Sequence, residues 1–336
     1  MGDAVDLLVV GDANPDVVLV DAPRRPVFGQ REELVRHGEL ALGGSAAIMA
    51  CGAARLGLRV AFAGRVGDDA AGRFVLGALA DQGVDVSACT VDPEIPTGLT
   101  VILNEGADRA ILTAPGTLPE MTAEDVPAKA LLGARHVHAA SYFLQPGLAA
   151  GLPALFATAR AGGATTSLDT NDDPSGRWAG LDAVLAVTDV LLPNESEARA
   201  IAGCEDVAEA ARRLAARGVL PVIKCGAEGA LAWDGGLVRA APVPAEPLDT
   251  VGAGDSFDAG FLAARLRGLD LAGCLALATA AGALSTRAHG GTRAQPTWTE
   301  AAEAARHAGS PAGPPGGSAS EPVERRQENS WPTTAS

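Results

Sequence analysis

The run Asp249-Thr250-Val251-Gly252-Ala253-Gly254-Asp255-Ser256-Phe257-Asp258-Ala259-Gly260-Phe261-Leu262 places a glycine-rich turn directly before an apolar, helix-like segment. Glycines let successive backbone N–H groups converge on one point, and a helix N-terminus adds positive potential there, so Gly252, Ala253 and Gly254 could form an anion-binding concavity. Asp255 stands beside it with a carboxylate. Phosphoryl transfer needs this pairing: donors hold the charge on the transferred group, and a base takes the proton of the incoming hydroxyl. The same residues also describe an ordinary helix start, with an acid favoured in the first turn. Two other phosphate motifs are excluded. No Gly-Lys dipeptide exists for a P-loop, and Phe257 occupies the place of the third glycine of a dinucleotide fingerprint.

Other polar groups recur at the ends of apolar runs. Gly11-Asp12-Ala13-Asn14-Pro15-Asp16 follows Leu7 to Val10, and its short polar side chains suit either an Asx-turn or the fixed donors and acceptors a polyol requires. Gly43-Gly44-Ser45 opens an Ala-rich segment. Asn194 and Glu197, spaced i and i+3, share a helix face, as a capping box or as oxygen ligands for a hydrated magnesium ion. Lys224-Cys225-Gly226-Ala227-Glu228-Gly229 follows another apolar run.

The elements that must carry these groups alternate. Strands are expected at 7–10, 17–20, 59–63, 136–139, 165–169, 190–192 and 221–224, and helices at 45–56, 68–82, 148–161, 195–202, 207–217, 256–267 and 271–287. Near-continuous apolar strands alternating with helices indicate a mainly parallel sheet covered on both faces. The runs at 17–20 and 99–113 break the rhythm, the latter around a hairpin turn at 104–108, and suggest a small separate sheet, a lid from about 14–42 and 95–116. Residues 310–336, with Pro311, Pro314 and Pro315 among glycines and serines, are expected to form a disordered tail after a 1–309 domain.

Composition narrows the partners. With a net charge of −15 and only Lys129 and Lys224 as lysines, the chain lacks the clustered basic face of a nucleic-acid binder. No apolar run reaches the roughly 18 residues of a membrane span. The acidic N-terminus lacks the basic start of a signal peptide. The five cysteines are scattered and form no C-x-x-C pair, which suits reduced thiols in a cytoplasm.

The fourteen-residue run resembles the C-terminal signature of the PfkB (ribokinase-like) carbohydrate kinases, and similarity to that family extends over about residues 5–307. The resemblance implies a three-layer α/β/α fold with a β lid, ATP and magnesium as requirements, and potassium as a further cation. Asp255 would be the catalytic base, with Gly252, Ala253 and Gly254 as the anion hole. Asn14, Asp16, Gly43, Gly44 and Ser45 would bind a sugar. Asn194, Lys224, Gly226, Gly229, Thr250, Gly252, Gly254 and Ala283 would border the nucleotide, Asn194 and Glu197 would reach magnesium through water, and Asp249 would bind the monovalent cation. Lid strands in similar enzymes pair between subunits, so a homodimer is expected. The pattern is broken once: Ile48 stands where the family usually has a substrate-contacting Asn, implying a less polar contact and leaving a nucleoside acceptor open beside a sugar. Leu168-Asp169-Thr170-Asn171 with Trp178 resembles a segment of sugar and sugar-acid kinases. A non-catalytic ligand sensor on the same fold is the reading of a different class, and the intact Gly-Ala-Gly-Asp argues against it.

Overall fold

In the computed structural model, which describes residues 5–105 and 108–308, fourteen strands and ten α-helices follow one another. They are β1 (Val5–Val10), β2 (Asn14–Val20), β3 (His37–Gly43), α1 (Ser45–Arg55), β4 (Val60–Ala63), β5 (Arg65–Gly67), α2 (Ala70–Asp81), β6 (Thr90–Asp92), β7 (Leu99–Glu105) and β8 (Asp108–Ala114). Then come α3 (Ala128–Gly133), β9 (Ala134–Ala139), α4 (Pro146–Ala161), β10 (Thr165–Leu168), α5 (Asp182–Leu185), β11 (Val190–Leu191), α6 (Glu195–Ala202) and α7 (Val207–Ala215). The series ends with β12 (Leu220–Lys224), β13 (Ala230–Trp233), β14 (Leu237–Ala240), α8 (Ala253–Leu266), α9 (Leu271–Ser285) and α10 (Trp298–Ala308).

The central sheet has the order β14-β13-β12-β11-β10-β9-β1-β4 and is parallel from β12 to β4. Its strands are apolar on both sides because both sides are covered. Leu7 and Val9 join Phe257, Phe261 and Leu262 of α8 in one core; Leu8 and Val10 join Phe156 and Leu214 in the other. With few aromatics, the first core relies on small side chains, so α1, α8 and α9 pack closely through alanines. One polar column interrupts that face. His136 contacts the hydroxyls of Thr165 (2.6 Å) and Ser167 (2.7 Å), and His138 contacts Ser167 (2.8 Å). Burial lowers both imidazoles, His138 to about 4, so both are neutral at pH 7.

The lid is real: β3-β2-β7-β8 form a separate four-stranded sheet, with β2 parallel to β7 and the other pairs antiparallel. Its strands run further than expected, to Glu105 and from Asp108, so the tip of the expected 104–108 turn lies outside the described residues. The expected tail at 310–336 also lies outside them. The sequence reading did not delimit β3, β5, β6, α3 and α5, and it missed β13, β14 and α10. β13 and β14 are only four residues each, joined in an antiparallel hairpin, and β14 is the exposed edge of the sheet. No helix among the described residues is long and apolar enough to cross a membrane.

Candidate active site

Asp255 lies in the first turn of α8, whose N-cap is Gly252 at φ 72°. That left-handed conformation suits glycine, and a Cβ there would lie 2.7 Å from Gly291 Cα. The backbone N–H groups of Gly252, Gly254 and Asp255 have no acceptor among the described residues, whereas Ala253 N–H turns back to Thr250 O at 3.3 Å. The free donors are thus Gly252, Gly254 and Asp255, and Ala253, expected among them, is engaged in the turn. Three unmatched donors on a helix tip fit an anion.

The Asp255 carboxylate meets the start of α1, which packs beside α8 on the same face of the sheet. Ser45 Oγ donates to Asp255 Oδ1, and Asn171 Nδ2 donates to Ser45 Oγ at 3.0 Å. Asn171 Oδ1 in turn accepts from Ser141 N at 2.8 Å. Ser141 and Asn171 both hold positive φ, 57° and 51°, a strained state for such residues that recurs at functional sites. Ser45 is held by Asp12, whose two carboxylate oxygens accept from Ser45 N and Ala46 N, each at 3.0 Å. Asp12 thereby caps α1, because the N-cap Gly44 has no side chain to do so. Burial pushes Asp255 up to about 7, against the Ser45 hydrogen bond and with the Asp169 charge adding to the rise.

Asn14 and Asp16 hang from the lid over the same corner. Asn14 Nδ2 donates to Asp16 Oδ1 (2.8 Å) and Thr100 Oγ1 (3.1 Å). Burial pushes Asp16 up to about 7, opposed by the Asn14 hydrogen bond and assisted by the charge of Asp12. Gly43 is required here, since a Cβ would fall 2.1 Å from Asp16 Oδ1.

Behind α8 sits a buried ion cluster. Lys224 Nζ reaches Asp169 Oδ2 at 2.7 Å and Asp258 Oδ2 at 3.2 Å. Burial would lower Lys224, but the Asp169 and Asp258 charges hold it well raised and protonated. Burial would raise Asp169, yet Lys224 brings it below the usual range; Asp258 is raised well above it, chiefly by burial. Lys224 is therefore tied to two carboxylates beneath Gly254, and Gly226 and Gly229 form the turn between β12 and β13.

Asn194 and Glu197 make a full capping box for α6. Asn194 N donates to Glu197 Oε2 (2.8 Å), Asn194 Nδ2 to Glu197 Oε1 (2.6 Å), and Glu197 N to Asn194 Oδ1 (3.0 Å). Burial, then the Asp169 charge, pushes Glu197 up to about 7. Among the described residues, no cluster of three acids, histidines or cysteines could cage a metal. Asp169, which is ionised, and Glu197 and Asp255, each pushed up to about 7, face the single ammonium of Lys224, so the site leans negative at neutral pH. That balance fits a magnesium ion that keeps its waters and arrives on nucleotide phosphates, and it does not fit a protein-built cage. Asp249, expected at the monovalent cation, accepts from Val251 N and Gly290 N, both at 3.0 Å, which ties its turn to the 290 loop.

Ile48 does not contact an open acceptor site. It is 3% exposed and fills the space against Gly252 and Gly291, where added Cβ atoms would fall 2.9 Å and 2.6 Å from its methyls. The expectation of a less polar acceptor contact there is corrected: the side chain wedges the anion loop. Ser141 and Asp258 were not singled out from the sequence. Asp258 stands at i+3 from Asp255, a spacing that marks one helix face; nothing in the sequence marks Ser141. Trp178 packs edge-on against Phe143, as a core-facing residue. Thr250 and Asp249 line a cleft of about 690 Å³ between the lid and the 247–250 loop, and Ala283 lies near the end of α9.

The comparisons with known proteins agree with this geometry. The family model described as pfkB family carbohydrate kinase matches residues 5–298. A fructokinase of Klebsiella pneumoniae is 36% identical over 76% of this chain and 88% of its own. A 2-dehydro-3-deoxygluconokinase of Thermoproteus tenax is 32% identical over 80% and 86%. The structure of Arabidopsis thaliana ribokinase complexed with ribose and ATP superposes with a TM-score of 0.77 at 26% identity, over 90% of this chain and 99% of that one. With its signature loop at the tip of α8 and its lid over Asp255, the chain belongs to the pfkB family of carbohydrate kinases.

Proposed function

We propose that the protein transfers the γ-phosphoryl group of ATP to a hydroxyl of a small sugar or sugar-like acceptor, with Asp255 as general base. The observation that carries the reading is the Asp255 carboxylate, fixed by Ser45 on one oxygen, beside three unmatched N–H donors on one helix tip. The acceptor hydroxyl would donate to the free Oδ2 of Asp255, while Ser45 fixes Oδ1. Asp16 and Asn14 would hold neighbouring hydroxyls. The N–H groups of Gly252, Gly254 and Asp255 would take up charge on the transferred group. Magnesium, when bound with the nucleotide, neutralises phosphate charge. Glu197 would reach it only through water, its oxygens being engaged by Asn194. Lys224, Gly226, Gly229, Thr250 and Ala283 would border the nucleotide, and Asp249 with the Gly290 backbone would take potassium.

The lid also suggests a homodimer. Leu40, Val17, Val101 and Leu112 form one cross-strand row on its outer face, with Leu40 49% and Leu112 60% exposed. Such an apolar row suits a second copy. Five unpaired cysteines and a need for ATP fit a cytoplasmic setting. The deciding experiment is ADP release with and without an added acceptor. Acceptor-dependent release supports a kinase. Tight acceptor binding with no release over a broad panel of alcohols would make the protein a sensor.

A further inference from the structure

We infer, resting on the kinase reading, that the acceptor is an uncharged polyol and that sugar phosphates and sugar acids are rejected. The unengaged polar atoms at the acceptor corner are themselves acceptors. Asn14 occupies Asp16 Oδ1 and Ser45 occupies Asp255 Oδ1, leaving Oδ2 of each carboxylate without a partner among the described residues. In the ionised form, which transfer requires of Asp255, both atoms accept from an alcohol. A phosphate or carboxylate has no proton to give and places like charge against them.

Among the described residues, no cation is paired with Asp16 or Asp255 to offset that charge. The charge that raises Asp16 is that of Asp12, and it is negative. On Asp255, the charges of Asp169 and Asp12 oppose the single ammonium of Lys224, which already bonds two carboxylates. The other groups at hand are neutral: Asn14, Thr100 and Thr113 in a hydrogen-bonded row, and Ser45 with Asn171. Three basic groups at the lid rim are engaged as well. Arg36 pairs with Asp21 at 2.9 Å, Arg293 with Glu39 at 2.7 Å, and Arg109 also has a partner. An anion entering this corner would lose its hydration with nothing to replace it.

The test is acceptor-dependent ADP release by the full chain with magnesium and ATP. The panel holds neutral ketoses, aldoses and nucleosides, each beside its phosphorylated or carboxylated counterpart, including fructose against fructose 1-phosphate. The expected result is a neutral substrate whose kcat/KM exceeds that of its anionic counterpart by roughly 100-fold or more. In Asp16→Asn the neutral rate falls and that ratio narrows by about tenfold. An anionic member used as well as its neutral counterpart, for instance by a distal phosphate reaching Arg36 and Arg109, overturns the inference and leaves the kinase reading standing. An unchanged ratio in Asp16→Asn removes Asp16 as the source of selection. A panel with no member raising ADP release above the acceptor-free rate sinks the kinase reading itself.

Discussion

Asp255 and Asp258 lie one turn apart on the same face of α8, and burial raises both. Their surroundings differ in one respect that decides their chemistry. Asp255 is partly exposed and bonded to a hydroxyl, which can be displaced or can reorient as a proton arrives. Asp258 is 1% exposed and bonded to an ammonium that also holds Asp169. One carboxylate is open to an incoming alcohol on Oδ2; the other is locked within the fold. A raised carboxylate near a cleft is thus informative only together with what its oxygens already hold.

The sharpest way to break this contrast is Asp255→Asn. General-base catalysis contributes roughly 10²–10⁴-fold, so kcat should fall by that factor while circular dichroism stays native. Near-parental turnover would remove Asp255 from the mechanism. The stability of the parent carries a matching sign. The folded pKa of about 7 exceeds the unfolded value of 3.8, so between them the native state binds the extra proton and stability falls as pH rises through that window. The asparagine variant lacks this term. Its Tm advantage over the parent should therefore grow from pH 4 to pH 8, and a gap independent of pH would refute the raised carboxyl.

The partner experiment acts on the locked side. Lys224→Met leaves Asp169 and Asp258 buried without their cation. Breaking a buried pair in this way costs roughly 3–5 kcal/mol, readable in urea unfolding. Adding Asp258→Asn should recover part of the loss, a non-additivity that the buried cluster requires. Additive losses would mean that the two side chains do not interact in solution.

Much of this architecture was legible from residue order. The Gly-Ala-Gly-Asp turn placed Asp255 at the helix tip because glycine conformations and helix starts are local properties. The α6 helix matched its expected bounds at both ends, since Asn194 and Gly203 punctuate it. The lid was visible as a break in the strand–helix rhythm. What stayed hidden depends on contacts across long stretches of chain. Ser45 and Asp255 are 210 residues apart, and Lys224 and Asp169 are 55 apart. Ile48 looked like a substrate contact because its motif position was read without knowing which way α1 would roll. Asn194 and Glu197 fitted a cap or a metal equally well in sequence; their mutual hydrogen bonds show the cap.

The smallest effect expected is also the most specific. Ser45→Ala removes the hydrogen bond that holds Asp255 below the value burial alone would set. A hydrogen bond to a charged group contributes roughly 1.5–3 kcal/mol, so the acidic limb of kcat/KM should move up by about one to two pH units. In the parent that limb should bend near pH 7, with the rate rising about tenfold per unit below it, because only the deprotonated carboxylate accepts the hydroxyl proton. Toward about pH 10 the variant should approach parental rates, since there both carboxylates are ionised. A uniform loss at every pH would instead make Ser45 a contact to the acceptor. The network from Ser141 through Asn171 to Ser45 would then serve to place the alcohol, and the proton affinity of Asp255 would be set by burial alone.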